Sequence, residues 1–190
     1  MYRHIPNILT SLRLIAAPVI ALLLLGMSGP IAAWAALLIF IVAAVTDWLD
    51  GFLARRWQSV SNFGRMLDPI ADKLMVIVLL VALMGTELGG MGLLVPAVVI
   101  VTREILVSGL REFMGKYDVI VAVTMTAKFK TTFQLIALGF LLASFAFAKG
   151  TPLYQLAYQG GFTLIWLAAA LTAWTGISYF AQALAQIPRA

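Results

Sequence analysis

Four carboxylates, Asp47, Asp50, Asp68 and Asp72, lie in the stretch DWLDGFLARRWQSVSNFGRMLDPIAD (47–72), between long apolar runs. Asp47 and Asp50 are three positions apart and Asp68 and Asp72 four, so each pair projects from one face of a helix. An ionisable group near the middle of a membrane helix costs about 2.5–3.5 kcal/mol on insertion scales, so four of them require partners that offset the cost. A divalent cation caged between two such faces is the natural partner. The chain has no cysteine, and its one histidine, His4, sits near the amino terminus, so the ligands are all oxygens and favour a hard cation. Gly51 and Ala54 follow Asp47 by four and seven positions, and Gly64 precedes Asp68 by four. On those faces their small size leaves room for something flat or large beside the ion. Arg55 closes the first acidic helix, where it can meet an anionic group. The pattern describes a metal site with space for a phosphorylated ligand.

Two further groups of polar residues interrupt apolar sequence. Asn7, Thr10 and Arg13 recur at three-residue steps and share a helix face. For Asn7 alone, an N-cap with an interfacial anchor is an equal reading. Arg103, Glu104, Ser108, Arg111 and Glu112 fall in the second half of one apolar segment, and Lys128 and Lys130 open the next. An internal pairing of Glu104 with Arg111, or of Glu112 with Ser108, would steady a buried helix. The same cations can also receive a phosphate, because a basic side chain held by a carboxylate is better placed to do so. Two lysines at a helix start oppose the macrodipole, which points to something anionic nearby.

The elements that position these residues are read from hydropathy. Of 190 residues 63% are hydrophobic and 11% charged, and the mean hydropathy is +1.01, outside the range of soluble domains. An all-α, polytopic membrane protein is expected, forming one domain over 1–190. Six spans are predicted: 5–27, about 31–55, from Gly64 onward, about 91–113, 128–149 and about 162–184. Breaks fall at 28–30, 57–63, 85–92, 115–126 and 150–152, with Tyr154 and Tyr158 forming an interfacial aromatic edge before the last span. Pro69 reads either as a kink beside Asp68 or as an early-helix proline. Lys73 is turned about 100° from Asp72, toward a neighbouring helix or the interface. The last span carries no ionisable residue before Arg189 and reads as packing or a partner surface.

A cleaved signal peptide would share the basic start and apolar core of the first span, but no small-x-small cleavage site precedes the next apolar run. On this map Lys149 is the only one of 13 basic residues on its side of the membrane. Both termini, the acidic stretch and a polar cavity therefore face the cytoplasm. The formal charge of +5 reports topology, with no nucleic-acid partner implied.

The spacing Asp-x2-Asp-Gly-x2-Ala-Arg-x8-Gly-x3-Asp-x3-Asp resembles, at every fixed position, the signature of the CDP-alcohol phosphotransferases, integral membrane enzymes of phospholipid synthesis. The Asn7, Thr10 and Arg13 trio is similar to the family's Asn-x-Leu-Thr-x-x-Arg start. The resemblance implies that CDP-diacylglycerol gives its phosphatidyl group to an alcohol and CMP leaves. It implies metal ligation by Asp47, Asp50, Asp68 and Asp72, with Asp72 also the general base. It implies CDP-diacylglycerol binding by Gly51, Ala54, Arg55, Asn7 and Thr10, and a homodimer in the lipid bilayer. Mg2+, one or two ions, suits a diphosphate substrate, with Mn2+ as a substitute. Arg103, Arg111, Lys128 and Lys130 are too many cations for a neutral alcohol and suit an acceptor that bears a phosphate. The runs TREILVSGLREF and AKFKTT resemble the branch of the family that uses glycerol 3-phosphate; an inositol phosphate is the rival acceptor. The compact chain points to a bacterial inner membrane. From another class, a small cation transporter would use the same aspartates as an ion path, but gives no reason for Gly51, Ala54 and Arg55.

Overall fold

The computed structural model describes residues 5–27, 29–57, 62–115 and 125–186, with side chains described for 9–27, 29–47, 66–115 and 129–185. The described elements are six helices: α1 (Ile5–Gly26), α2 (Pro30–Trp57), α3 (Asn62–Met84), α4 (Met91–Gly115), α5 (Met125–Ala146) and α6 (Pro152–Gln186). Five of them, all but α3, contain stretches long and apolar enough to cross a membrane. The first half of α3 holds Asp68, Asp72 and Lys73, so its continuous apolar run starts only at Leu74. Pro69 is the eighth residue of α3 and the helix continues through it, which excludes the early-helix reading.

Neighbour relations close a ring: α1 packs on α2, α2 on α5, α5 on α6, α6 on α4, α4 on α3 and α3 on α1, with α3 also touching α5. Leu79, Leu80 and Leu83 of α3, Leu138, Leu141 and Leu142 of α5, and Ile165 of α6 fill the centre and are fully buried. Alanines 17, 33, 36 and 43 of α1 and α2 are buried in the same core, small side chains of the kind that allow close helix packing where lipid removes the hydrophobic drive between helices. The outside is apolar: Ile31 is 85% exposed and Trp174 70%. Arg13, Arg103, Glu104 and Lys130 are buried instead. Charged groups inside and large apolar side chains outside reverse the usual arrangement of a soluble protein and fit a lipid-facing surface.

The last two predicted spans need correction at their ends. The fifth helix stops at Ala146, leaving Lys149 in the turn, and α6 begins at Pro152, ten residues before the predicted start at Phe162. Thr151 caps it, accepting a hydrogen bond from the Tyr154 amide at 3.2 Å, and Pro152 occupies the first helical position, where its missing N–H costs nothing. Gly150, at φ +87°, makes the reversal that precedes the cap. Tyr154 and Tyr158 thus stack within the helix, ring centroids 5.9 Å apart. Gly160 and Gly161 do not break it, because α5 lies against them. A Cβ on Gly160 would stand 3.0 Å from the Phe140 ring, and one on Gly161 2.8 Å from Leu141 Cδ2.

Candidate active site

Three helices bring the acidic side chains to one place. From α1, Arg13 projects its guanidinium between α2 and α3, and its Nη1 pairs with Oδ1 of both Asp47 and Asp72, the latter at 2.6 Å. One turn earlier on the same face, the Thr10 hydroxyl donates to Asp68 Oδ1 at 2.7 Å. A single nitrogen touching carboxylates of α2 and α3 shows that one cation can reach both acidic faces. Arg13 and Thr10 are buried, while Asp72 is the more open end of the pocket, its side chain 48% exposed. Met75 and Val76 of α3, Ala43 and Ala44 of α2, and Thr131 and Leu135 of α5 line the rest.

The donor set is the all-oxygen one a hard cation requires. Among the described residues, however, no three acidic or histidine side chains come together as a metal-holding group. Asp50 belongs to α2, but its side chain lies outside the described residues, as do those of Asn7, Ala54, Arg55 and Lys128; Gly51 and Gly64 are described only as backbone within α2 and α3. The positive charge at the meeting point is that of Arg13.

The second polar group is built by α4, α5 and α6. Lys130 of α5 pairs with Glu104 Oε1, and Arg103 reaches the same oxygen at 3.5 Å. These replace the predicted pairing of Glu104 with Arg111. Glu104 and Arg111 are seven positions apart on one helix, and a partner on the facing helix lies closer than one two turns along. The Ser108 hydroxyl donates to the Glu104 carbonyl at 2.5 Å, within its own helix turn, and so is not held by Glu112 as the other predicted pairing had it. Arg111 instead donates to the Tyr179 hydroxyl at 3.0 Å. Gln134 donates to Thr172 at 3.1 Å, and Arg103 reaches Thr175 at 3.5 Å. Of the four predicted acceptor cations, Arg103, Arg111 and Lys130 are therefore gathered around Glu104 and Tyr179.

The shared face of Asn7, Thr10 and Arg13 was legible from their three-residue steps, but the pairing of Arg13 with Asp47 and Asp72 was not assigned from sequence. Helix α6, expected as packing or a partner surface, contributes polar side chains that the sequence reading missed. Its Thr172, Thr175 and Tyr179, spaced three and four apart, form a polar stripe in an otherwise apolar helix, and that spacing was the available signal.

A helical bundle with five helices of membrane-crossing length and apolarity, in which α1, α2 and α3 converge on a buried arginine and a set of aspartates, fits an integral membrane protein with a charged internal site. The model of the CDP-alcohol phosphatidyltransferase family matches residues 3–174, and the chain belongs to that family. It is 42% identical to the CDP-diacylglycerol–glycerol-3-phosphate 3-phosphatidyltransferase of Cereibacter sphaeroides, over 95% of each chain. Proteins of the same name from Rickettsia bellii, 41% identical over 93% of each chain, and Escherichia coli K12, 40% identical over 98%, are similarly close.

Proposed function

We propose that the protein transfers the phosphatidyl group of CDP-diacylglycerol to glycerol 3-phosphate, yielding phosphatidylglycerophosphate and CMP in the synthesis of phosphatidylglycerol. The observation that carries this reading is the contact of one Arg13 nitrogen with both Asp47 and Asp72. It supports reading the two acidic helices as one site, and the names of the relatives supply the substrates.

Asp47, Asp50, Asp68 and Asp72 would hold Mg2+, which neutralises the diphosphate and stabilises charge on the departing CMP. Gly51, Ala54 and Arg55, with Asn7 and Thr10, would seat the cytidine diphosphate. Asp72, at the open end of the pocket, would take the proton from the acceptor hydroxyl as its oxygen attacks phosphorus and the bond to CMP breaks. Arg103, Arg111, Lys128 and Lys130 would bind the acceptor's phosphate.

The lipid half of the substrate has a matching surface. A groove of about 660 Å³ runs between α2, α5 and α6, lined only by apolar residues and glycine. It shares Phe40, Ala44 and Leu135 with the acidic pocket, so acyl chains could lie in the groove while the diphosphate stays at the aspartates. All six helices would cross the bilayer of a bacterial inner membrane. Both termini and the polar cavity would then face the cytoplasm, and a homodimer is the expected assembly.

The test is CMP release by purified protein given CDP-diacylglycerol, Mg2+ and each candidate acceptor in turn. Release with glycerol 3-phosphate alone is expected, and Asp68→Asn should abolish it. Release with an inositol phosphate instead, or ion flux without any CMP, would overturn the proposal.

A further inference from the structure

The polar face of α6 meets the two arginines of α4 through one aromatic ring. Tyr179 is 3% exposed. Its centroid lies 5.2 Å from the Arg111 guanidinium carbon and 5.8 Å from that of Arg103, within cation–π range of both. Its hydroxyl accepts from Arg111 Nη2 at 3.0 Å. Three residues before it, Gly176 leaves a gap that the Arg103 stem occupies, since a Cβ there would stand 2.8 Å from Arg103 Cγ. Thr175 then receives Arg103 Nη2 at 3.5 Å. Gly176, Thr175 and Tyr179 thus fix the course of Arg103 and hold Arg111 beside it. Left to themselves, two guanidinium groups of like charge would separate; the negative face of one ring between them offsets that repulsion.

Arg103, Arg111 and Lys130 against Glu104 leave a net charge of two positive units in this cluster. A phosphate monoester carries about −1.5 to −2 at neutral pH, so the cluster matches its charge. The Nε of Arg103 is buried with no hydrogen-bond partner, and Arg111 remains exposed, so donors are left over for an incoming anion.

We propose that Tyr179 is a positioning residue for the acceptor, its ring and hydroxyl presetting Arg103 and Arg111 to receive the acceptor's phosphate. The inference rests on the reading that the acceptor is a phosphate monoester. On this view α6 forms the back wall of the acceptor subsite, although its polar stripe holds no Asp, Glu, Lys or Arg.

The experiment measures initial rates of CMP release by the purified full-length protein while glycerol 3-phosphate and CDP-diacylglycerol are varied separately. Inorganic phosphate serves as a competing anion. Tyr179→Phe, which keeps the ring, should raise KM for glycerol 3-phosphate about 5- to 10-fold, and Tyr179→Leu, which removes it, about 30-fold or more. The inhibition constant for inorganic phosphate should rise by the same factors, while kcat and KM for CDP-diacylglycerol stay within about twofold. A merely structural role would move both KM values and kcat together. That outcome, or an unchanged KM for glycerol 3-phosphate in Tyr179→Phe, would overturn the inference and leave the acceptor reading intact. Wild-type protein that releases CMP without a phosphorylated acceptor, unaffected by inorganic phosphate, would overturn that reading and the inference with it.

Discussion

At the centre of the acidic pocket one guanidinium nitrogen contacts carboxylates from two helices, so removing it takes away the cation that Asp47 and Asp72 share. Arg13→Ala should lower stability in detergent by about 1–3 kcal/mol, less than for a fully buried pair because Asp72 is half open. Added Mg2+ should recover part of that loss, because it supplies charge at the same point, and should recover more for the variant than for wild type. Thermal unfolding with and without the ion checks this; equal shifts in both proteins would show that Arg13 does not share its place with a metal. Arg111 gives a contrasting case, since it is exposed and held by a neutral hydroxyl. Arg111→Ala should raise KM for glycerol 3-phosphate roughly tenfold or more with little change in kcat. Steady-state kinetics decides, and equal losses in kcat and kcat/KM would move Arg111 from binding to chemistry. The aspartates were legible at this scale because ionised groups in an apolar run are conspicuous. The partner of Glu104 was not, because Lys130 lies 26 positions away and helical spacing ranks only neighbours within a helix.

Helix α5 divides the two polar groups. Thr131 and Leu135 border the acidic pocket, whereas Lys130 and Gln134, one position earlier in each turn, face α4 and α6. Its register therefore sets the spacing between the aspartates and the cations proposed to bind the acceptor. That register is held where Leu141 seats against Gly161 of α6, with a would-be Cβ 2.8 Å from Leu141 Cδ2 and 3.0 Å from its backbone nitrogen. Leu141 is fully buried and has little room to yield. Gly161→Ala should cost about 1–3 kcal/mol by overpacking, and should weaken glycerol 3-phosphate binding as well if α5 shifts. Melting temperature and KM measured together check it; a variant as stable as wild type would mean that the two helices are not in close contact here. Helix existence was readable from hydropathy throughout, and α1, α2 and α4 begin and end within about two residues of the expectation. The start of α6 was misplaced because Tyr154 and Tyr158 read as an interfacial edge ahead of the span, whereas they stack within the helix itself.

Across the whole molecule charge is distributed by end. Lys149 sits in the α5–α6 turn, joined at 2.5 Å to Glu87 of the α3–α4 turn, while the acidic pocket and the arginines of α4 gather toward the other end of the bundle. The hydrogen bond to Glu87, with its charge, raises the Lys149 pKa above the ordinary lysine value of 10.5. A raised pKa contributes stability that is complete below the unfolded value and lost only as pH rises through the higher folded one. The strap should therefore act equally from about pH 6 to about pH 9, and any effect of Lys149→Met on melting should be flat over that window. The same distribution sets the orientation proposed for the bundle. Because the chain contains no cysteine, a single introduced one reports its own side without background. Thr151→Cys, beside Lys149, should react with a membrane-impermeant maleimide in intact spheroplasts. Gly115→Cys, exposed at the opposite end of α4, should react only after permeabilisation. Labelling of Gly115→Cys in sealed spheroplasts with Thr151→Cys protected would invert the bundle. The aspartates would then open away from the cytoplasmic pool of glycerol 3-phosphate, and the proposed reaction would lose its water-soluble substrate.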